Sequence, residues 1–561
     1  MDRGLLPENL PSVVTSKALW PHFEEFNASY IVTAKRSGWV SPYNASKRGF
    51  QRRLFGLPHP IFFHDQAAFL AKHWSEILPG LEAASGSLSR PNFPVSGPRS
   101  TKITPHSSLP RARLEAFSRF KFCLVTDVSR CFPSIYTHSI PWAVHGKAAS
   151  KDDTKSNSAT VFGNRLDFAV RQAQDRQTIG IPVGPDSSRV ISEIILSAVD
   201  REFIRRSGPK GVTYRRHVDD YWIGGASVEE CEKHLQVLRQ ALREYELDIN
   251  ELKTRIVNTS VVFGESWAFE VAEELGQVFP SYGQPRGDQV ATLGKVLERA
   301  RSTNDDGIIR HTIRKLDERH SWSANWKVLE HFLAQCAVQY PHSFDYVARV
   351  VAWRRRKGLA INATLWAEVT REVAGQSSTL GRDSEALWSL WLMKELNLKI
   401  NKAMSSQMIR TNSPIVSAFL AHMHATGLTT DRQIRADLWN SVEGNHFTGS
   451  FWPLTLELMT LGYAKPSALD DGGGDDTVKK LHMNGGTLFD WGAAPAVFER
   501  PERPDDDNWF GDLGPDEAIE DYTSDYDDDE SDEDEDDQED EGENDEHGNA
   551  PPDLPDLDEF L

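Results

Sequence analysis

Cysteine is scarce in this chain. Its four residues, Cys123, Cys131, Cys231 and Cys336, form no CxxC pair. That argues against a disulfide framework or a cysteine-based zinc site, and predicts a reducing cytoplasmic setting. Long apolar runs are missing too. None approaches the roughly 18 residues of a membrane span, and the opening MDRGLLPENLPSVVTSK has no apolar segment of the signal-peptide kind. A membrane partner is therefore not expected. Positive charge vanishes in one place: from Pro504 to Leu561 there are 29 Asp and Glu and no Lys or Arg. The formal net charge of -21 thus conceals a body, residues 1–503, with 62 basic and 54 acidic side chains and a net of +8. A mildly basic body suits a phosphate-rich partner. The polyanionic end cannot collapse into a core and is expected to be disordered.

At 561 residues there is room for two to four domains. The pattern divides into four. Residues 1–110 are mixed, with helical stretches such as HDQAAFLAKHWSEIL and a Pro/Ser-rich loop from Ser85 to Pro110. Residues 111–262 alternate strand-like runs (KFCLVTDV, TYRRHVDDYWIG) with helical ones (SSRVISEIILSAVDREFIRR, SVEECEKHLQVLRQALREYEL), an α/β pattern interrupted by a polar loop, KAASKDDTKSNSAT. Residues 263–503 read as successive amphipathic helices, including WKVLEHFLAQCAVQY and SPIVSAFLAHMHATG, of the lengths a helical-repeat array uses. Residues 504–561 form the acidic tail.

Within the α/β part, YRRHVDDYWIGG breaks a local rule. Strand formers surround two adjacent carboxylates, Asp219 and Asp220, in what reads as a hairpin, with Gly224–Gly225 available for a turn. An apolar strand, Phe122–Val125, runs into a third carboxylate, Asp127. Carboxylates converging from separate strands suit hard divalent cations such as Mg²⁺, and two such ions serve nucleotidyl transfer. The carbonyl of Val128 could add a ligand. Phe132 follows Asp127 by five residues, where a ring could lie under an incoming sugar and clash with a 2′-hydroxyl. Between these stretches lies QTIGIPVGPDSSRVISEIIL: Gly180, Pro182, Gly184 and Pro185 build an irregular turn, and Ser187 or Ser188 should cap the helix that follows. Lys253, in LDINELKTRIV, should follow a short strand and could approach a triphosphate. Taken singly, each of these has an ordinary structural reading: a helix cap, a core ring, a turn, a solvated lysine.

Their order over about 130 residues resembles the palm of reverse transcriptases. TDVSRCF is similar to the first catalytic motif, GIPVGPDSS to the second, HVDD to the YxDD box and DINELKT to the motif that follows it. The resemblance implies that Asp127, Asp219 and Asp220 form a metal triad for two Mg²⁺ ions, with Mn²⁺ a substitute, and that Phe132 is a sugar gate. Upstream, RRLFGLPHPIFFHDQAAFLAKHW resembles the fingers motif whose arginine binds the incoming triphosphate; the alignment favours Arg53, with Arg52 as the alternative. FPSIYTHSIPWAVHGK followed by QTIGIPVGPDSSR resembles the bacterial unknown-group and abortive-infection reverse transcriptases of anti-phage defence. The fold so implied is an α/β right-hand fingers and palm followed by an all-α helical-repeat domain in place of a thumb. Implied partners are RNA or DNA and dNTPs, with a homo-oligomer, or a protein or non-coding RNA of the same defence system, also compatible.

Two positions depart from the pattern. His217 stands where Tyr usually opens the YxDD box, and Val183 where the second motif usually has Gln. Both bear on templated fidelity rather than on metal binding. In the helical part, Arg354, Arg355 and Arg356 of WRRRKG make the best nucleic-acid patch, and Trp388 and Trp391 read as helix-packing residues. The competing readings are another palm enzyme, either an RNA polymerase or a nucleotide cyclase, and an idle nucleic-acid-binding scaffold.

Overall fold

The computed structural model describes residues 3–23, 36–95, 99–208, 211–264, 266–280, 286–322, 325–443, 447–464, 481–482 and 486–494. The acidic tail lies outside them.

Two short sheets position the site. Strands β1 (Ser41–Lys47) and β2 (Gln51–Leu57) pair antiparallel, Ala45 opposite Arg53 and Tyr43 opposite Phe55. Their three-residue loop uses positive φ at Gly49 and Phe50. Helix α1 (Pro60–Lys72) follows, with proline at its first position and the His59 ring accepting from the Ile61 amide. The second sheet has four antiparallel strands in the order β4 (Tyr214–His217), β5 (Asp220–Gly225), β3 (Phe122–Asp127), β6 (Arg255–Asn258). Helices α2 (Asp186–Arg206) and α3 (Val228–Arg243) pack together, and α3 rests on β3 and β5. α2 is buried nearly all round, which explains its run of Val, Ile, Leu and Ala.

Several local expectations are corrected. Gly224 and Gly225 lie within β5, and the turn is made by Val218 and Asp219 instead. Neither Ser187 nor Ser188 caps α2: Pro185 is the capping position, and Asp186 in the first turn takes the amides of Ser100 and Thr101 at 3.1 and 3.0 Å. The polar stretch after Gly146 opens with a helix, Lys147–Asp152. Lys253 ends a 3-10 turn, Glu251–Lys253, that precedes β6 rather than following a strand.

From Ser266 onward the described residues are helical, through Trp452–Thr460. These helices form two staggered rows. Trp326–Gln339, Ala363–Leu380, Lys402–Arg410 and Ile434–Asn440 each touch the next in that series, and so do Phe344–Arg356, Asp383–Glu395, Pro414–Ala425 and Trp452–Thr460. Trp366, Trp388, Trp391 and Trp452 are fully buried among them. This core also takes in Leu5, Leu10 and Val13 from the N-terminal segment and Tyr43, Ala45 and Leu57 from the β1–β2 hairpin. Thr15 donates to the Leu488 carbonyl at 2.7 Å and Asp490 to that of Val13 at 2.8 Å. A separate core joins the four-stranded sheet to α2 and α3. All described residues fall within one compact unit. Among them no helix is long and apolar enough to cross a membrane.

Candidate active site

The hairpin β4–β5 turns so tightly that His217 pairs directly with Asp220. Val218 adopts φ 54°, a region β-branched residues avoid. Positive φ at the first of two central turn positions is where a type II′ hairpin places glycine, so valine there is strained by about 1–3 kcal/mol. Register then places the carboxylates. Asp220 lies directly across the ladder from Asp127. The Val128 amide donates to the Asp219 carbonyl at 3.2 Å, and the Asn250 amide to that of Asp127 at 2.9 Å. Asp127 is buried, whereas Asp219 and Asp220 are half-buried. The ammonium of Lys253 lies 3.6 Å from Asp127 Oδ2. Beneath them is the buried Cys131 thiol, pushed up by burial and by the charge of Asp219, with a smaller push from Asp127.

The irregular turn before α2 docks on this end of the sheet. The Ile181 amide donates to the Phe132 carbonyl at 2.9 Å, and the Gly180 amide to that of Ile135 at 2.8 Å. Gly180 has φ 84°, and a Cβ there would meet the Pro133 carbonyl oxygen at 3.0 Å. The β1–β2 hairpin reaches the same turn, since the Gly56 amide donates to the Val183 carbonyl at 2.9 Å. Gly184, with φ 115°, offers its carbonyl to Arg99 at 2.9 Å. Pro182 packs against Gly56. Phe132 is 8 % exposed and belongs to the palm core. His217 approaches the Thr104 carbonyl through Nε2 at 2.9 Å and sits edge-on to His106.

Under the turn lies a buried ionic group that sequence reasoning missed. Arg216 of β4 is fully buried. Its Nη1 donates to Glu193 Oε2 at 2.8 Å and to the Val218 carbonyl at 2.9 Å, while Nη2 donates to Glu193 Oε1 at 2.9 Å and Nε to Asp200 Oδ2 at 2.9 Å. The Tyr221 hydroxyl donates to Asp200 Oδ1 at 2.8 Å. Burial pushes the guanidinium pKa down, but Asp200 and Glu193 outweigh it and hold it above its ordinary value. Burial holds the Asp200 carboxyl above the ordinary range, with Arg216 opposing. The available signal was two carboxylates, Glu193 and Asp200, seven apart and so on one face of a largely buried helix.

Other expected residues lie elsewhere. Arg52 pairs with Glu385 and donates to Asn44, so it is committed to the hairpin's contact with helix Asp383–Glu395. Arg53 is half-buried, across from Ala45 on β2. The WRRRKG patch is corrected in part. Arg354 is buried, donates to the Ala360 and Trp322 carbonyls and stacks on Trp326, while Arg356 forms a two-pronged pair with Glu395. Arg355 is exposed.

The donor chemistry at this end of the sheet suits a hard cation: three carboxylates and a backbone carbonyl, all oxygen. The side chains are not gathered, however. Among the described residues no group of three or more His, Cys, Asp or Glu is close enough to hold a metal ion. The ion pair to Lys253 supplies positive charge at Asp127.

The sheet thus ends in opposed carboxylates, is backed by two helices and is joined to a glycine-turn helix. Residues 76–294 match the family described as reverse transcriptase (RNA-dependent DNA polymerase), so a reverse transcriptase domain is present over that stretch. No curated protein matches the chain. Among solved structures, apo telomerase from Candida tropicalis aligns at 10 % identity and TM-score 0.30, covering 67 % of this chain and 74 % of that one. Telomerase from Candida albicans with a TWJ fragment of telomeric RNA aligns at 11 % and 0.27, covering 67 % and 69 %. Overlaps this loose carry no argument about function.

Proposed function

We propose that the chain is a DNA polymerase of the reverse transcriptase type, RNA-directed or untemplated, acting in bacterial anti-phage defence. One observation carries the chemistry: Asp127 stands across the ladder from Asp220, with Asp219 in the adjoining turn and Lys253 beside Asp127, inside the matched domain. In this reading Asp127, Asp219 and Asp220, with the Val128 carbonyl, would hold two Mg²⁺. Bound ions would activate a 3′-hydroxyl and neutralise the departing pyrophosphate. Lys253 exchanges Asp127 for the triphosphate and offers its proton to the leaving group. Arg53 pairs with the γ-phosphate end. Phe132 backs the sugar, and the backbone at Gly180, Pro182 and Gly184 lies along the nascent base pair. The defence role rests on the motif resemblance alone, as do a cytoplasmic bacterial setting and a homo-oligomer, protein or RNA partner. The two staggered helix rows support a repeat architecture for the helical region, with exposed Arg355 as its remaining candidate contact to nucleic acid.

Purified protein with Mg²⁺ is expected to incorporate labelled dNTPs and to reject NTPs. Asp219→Ala and Asp220→Ala should each lower the rate by orders of magnitude, about 10³-fold or more for several kcal/mol of lost transition-state stabilisation, with melting temperature preserved. Full activity in the double variant would falsify the reading.

A further inference from the structure

Both backbone groups of Val218 are held from below. Its amide donates to Ser89 Oγ at 2.6 Å, and its carbonyl accepts from Arg216 at 2.9 Å. These two holds belong to one closed ring. The Ser89 amide donates to Ser87 Oγ at 3.1 Å, the Ser87 hydroxyl donates to Glu193 Oε1 at 2.7 Å, and Glu193 accepts from Arg216. The backbone closes alongside: Leu88 donates to the Arg216 carbonyl at 2.7 Å and Arg216 to that of Gly86 at 3.0 Å, which lays residues 86–88 along the outer edge of β4. Ser87, Ser89, Glu193 and Arg216 thus connect a loop, an edge strand and helix α2 at one point.

That point is the residue preceding Asp219 and Asp220, and its φ is one that valine does not adopt unaided. Burying a charged arginine against two carboxylates gives little net stability, and apolar replacements of such groups are often neutral or better. A guanidinium fork is suited to a different task, since it bonds two carboxylates and a turn carbonyl at fixed angles. We propose that Arg216 and Ser89, fixed by Glu193, Asp200 and Ser87, are positioning residues that lock the strained turn and thereby aim Asp219 and Asp220 at the cations. The proposal rests on the polymerase reading and extends it to residues that touch neither substrate nor metal. Outer groups that orient metal ligands typically change affinity or rate by about 10- to 100-fold when removed.

The test compares wild type, Arg216→Lys and Ser89→Ala in Mn²⁺ binding, followed by paramagnetic resonance, and in kcat and KM for dNTP. Asp219→Ala identifies which Mn²⁺ signal belongs to the site. Arg216→Lys keeps the charge and loses the fork. Ser89→Ala removes one uncharged hydroxyl and decides the matter if the lysine variant does not fold. Expected are a loss of about 10- to 100-fold in Mn²⁺ affinity and in kcat, with KM for dNTP changed less than about threefold. A lower melting temperature with Mn²⁺ affinity and kcat unchanged overturns the proposal and leaves the ring a structural support. If wild type incorporates no nucleotide, the polymerase reading falls while Mn²⁺ affinity still decides on positioning. A Mn²⁺ signal indifferent to Asp219→Ala overturns both.

Discussion

At the scale of single residues the site is built from ordinary side chains in constrained places. Phe132 illustrates the competition between packing and chemistry, because it is 8 % exposed and part of the palm core. Phe132→Ala should lower stability by about 3–5 kcal/mol, the usual range for a buried Phe truncated to Ala, and should also admit ribonucleotides. A variant that melts earlier yet excludes NTPs as strictly as wild type makes Phe132 a core residue only. The aspartates were legible because they contradict their surroundings: charge at the end of an apolar strand, and a doubled charge in a hairpin. Lys253 was legible by order along the chain, though its 3-10 turn was not. Arg216 was not, since a strand arginine reads as solvent-facing and its partners lie 16 and 23 residues upstream.

Among elements, the informative contact joins the β1–β2 hairpin to the helical region. Arg48 pairs with Asp305 through two bonds, at 2.8 and 2.5 Å. The Gly49 amide donates to Asp306 at 2.8 Å, Asn44 to Asp383 at 2.8 Å, and Ser46 to Ser384 at 3.1 Å. An edge strand that would otherwise expose its amides is covered by side chains from helix starts. Burial lifts the Asp306 carboxyl to about 6, and likewise that of Asp383. A folded pKa above the unfolded value means that the native state binds the extra proton, so stability falls as pH rises from about 4 to 6 and stays lower above. Asp306→Asn keeps an acceptor for Gly49 and removes the buried charge. It should therefore raise stability at pH 7–8 by up to about 3 kcal/mol, for a shift of roughly two units, with the gain fading as pH drops toward 4. Chemical denaturation at pH 4.5 and 7.5 checks this, and an equal effect at both values contradicts it. Helix existence was readable from periodicity, whereas this clamp joins residues some 260 and 340 apart, and no local pattern encodes such pairings.

For the whole molecule, charge separates a body of +8 from a polyanion beginning at Pro504. If the polyanion, held on the same chain, reaches the basic body, it would compete with nucleic acid at high effective concentration. Deleting residues 504–561 should tighten nucleic-acid binding at low salt, with the difference shrinking as salt screens both contacts. Equal affinity at every salt concentration would leave the tail a solubilising role. The change from an α/β stretch to successive helices from Ser266 on was readable from the patterning of apolar residues. The membership of the N-terminal segment in the helical core was not, because Leu5, Leu10 and Val13 look like any apolar stretch until the distant helices are present. The bridge between Val14 and Phe489 has a consequence for synthesis. At about 5–20 residues per second, Val14 leaves the ribosome on the order of half a minute to a minute and a half before Phe489. A chain cut short before residue 489 keeps its three aspartates and the partners of Gly4, Leu6 and Asn9, but leaves Val14 without its bridge. Premature termination should then fray the chain locally at Val14, which limited proteolysis of a truncated variant would detect.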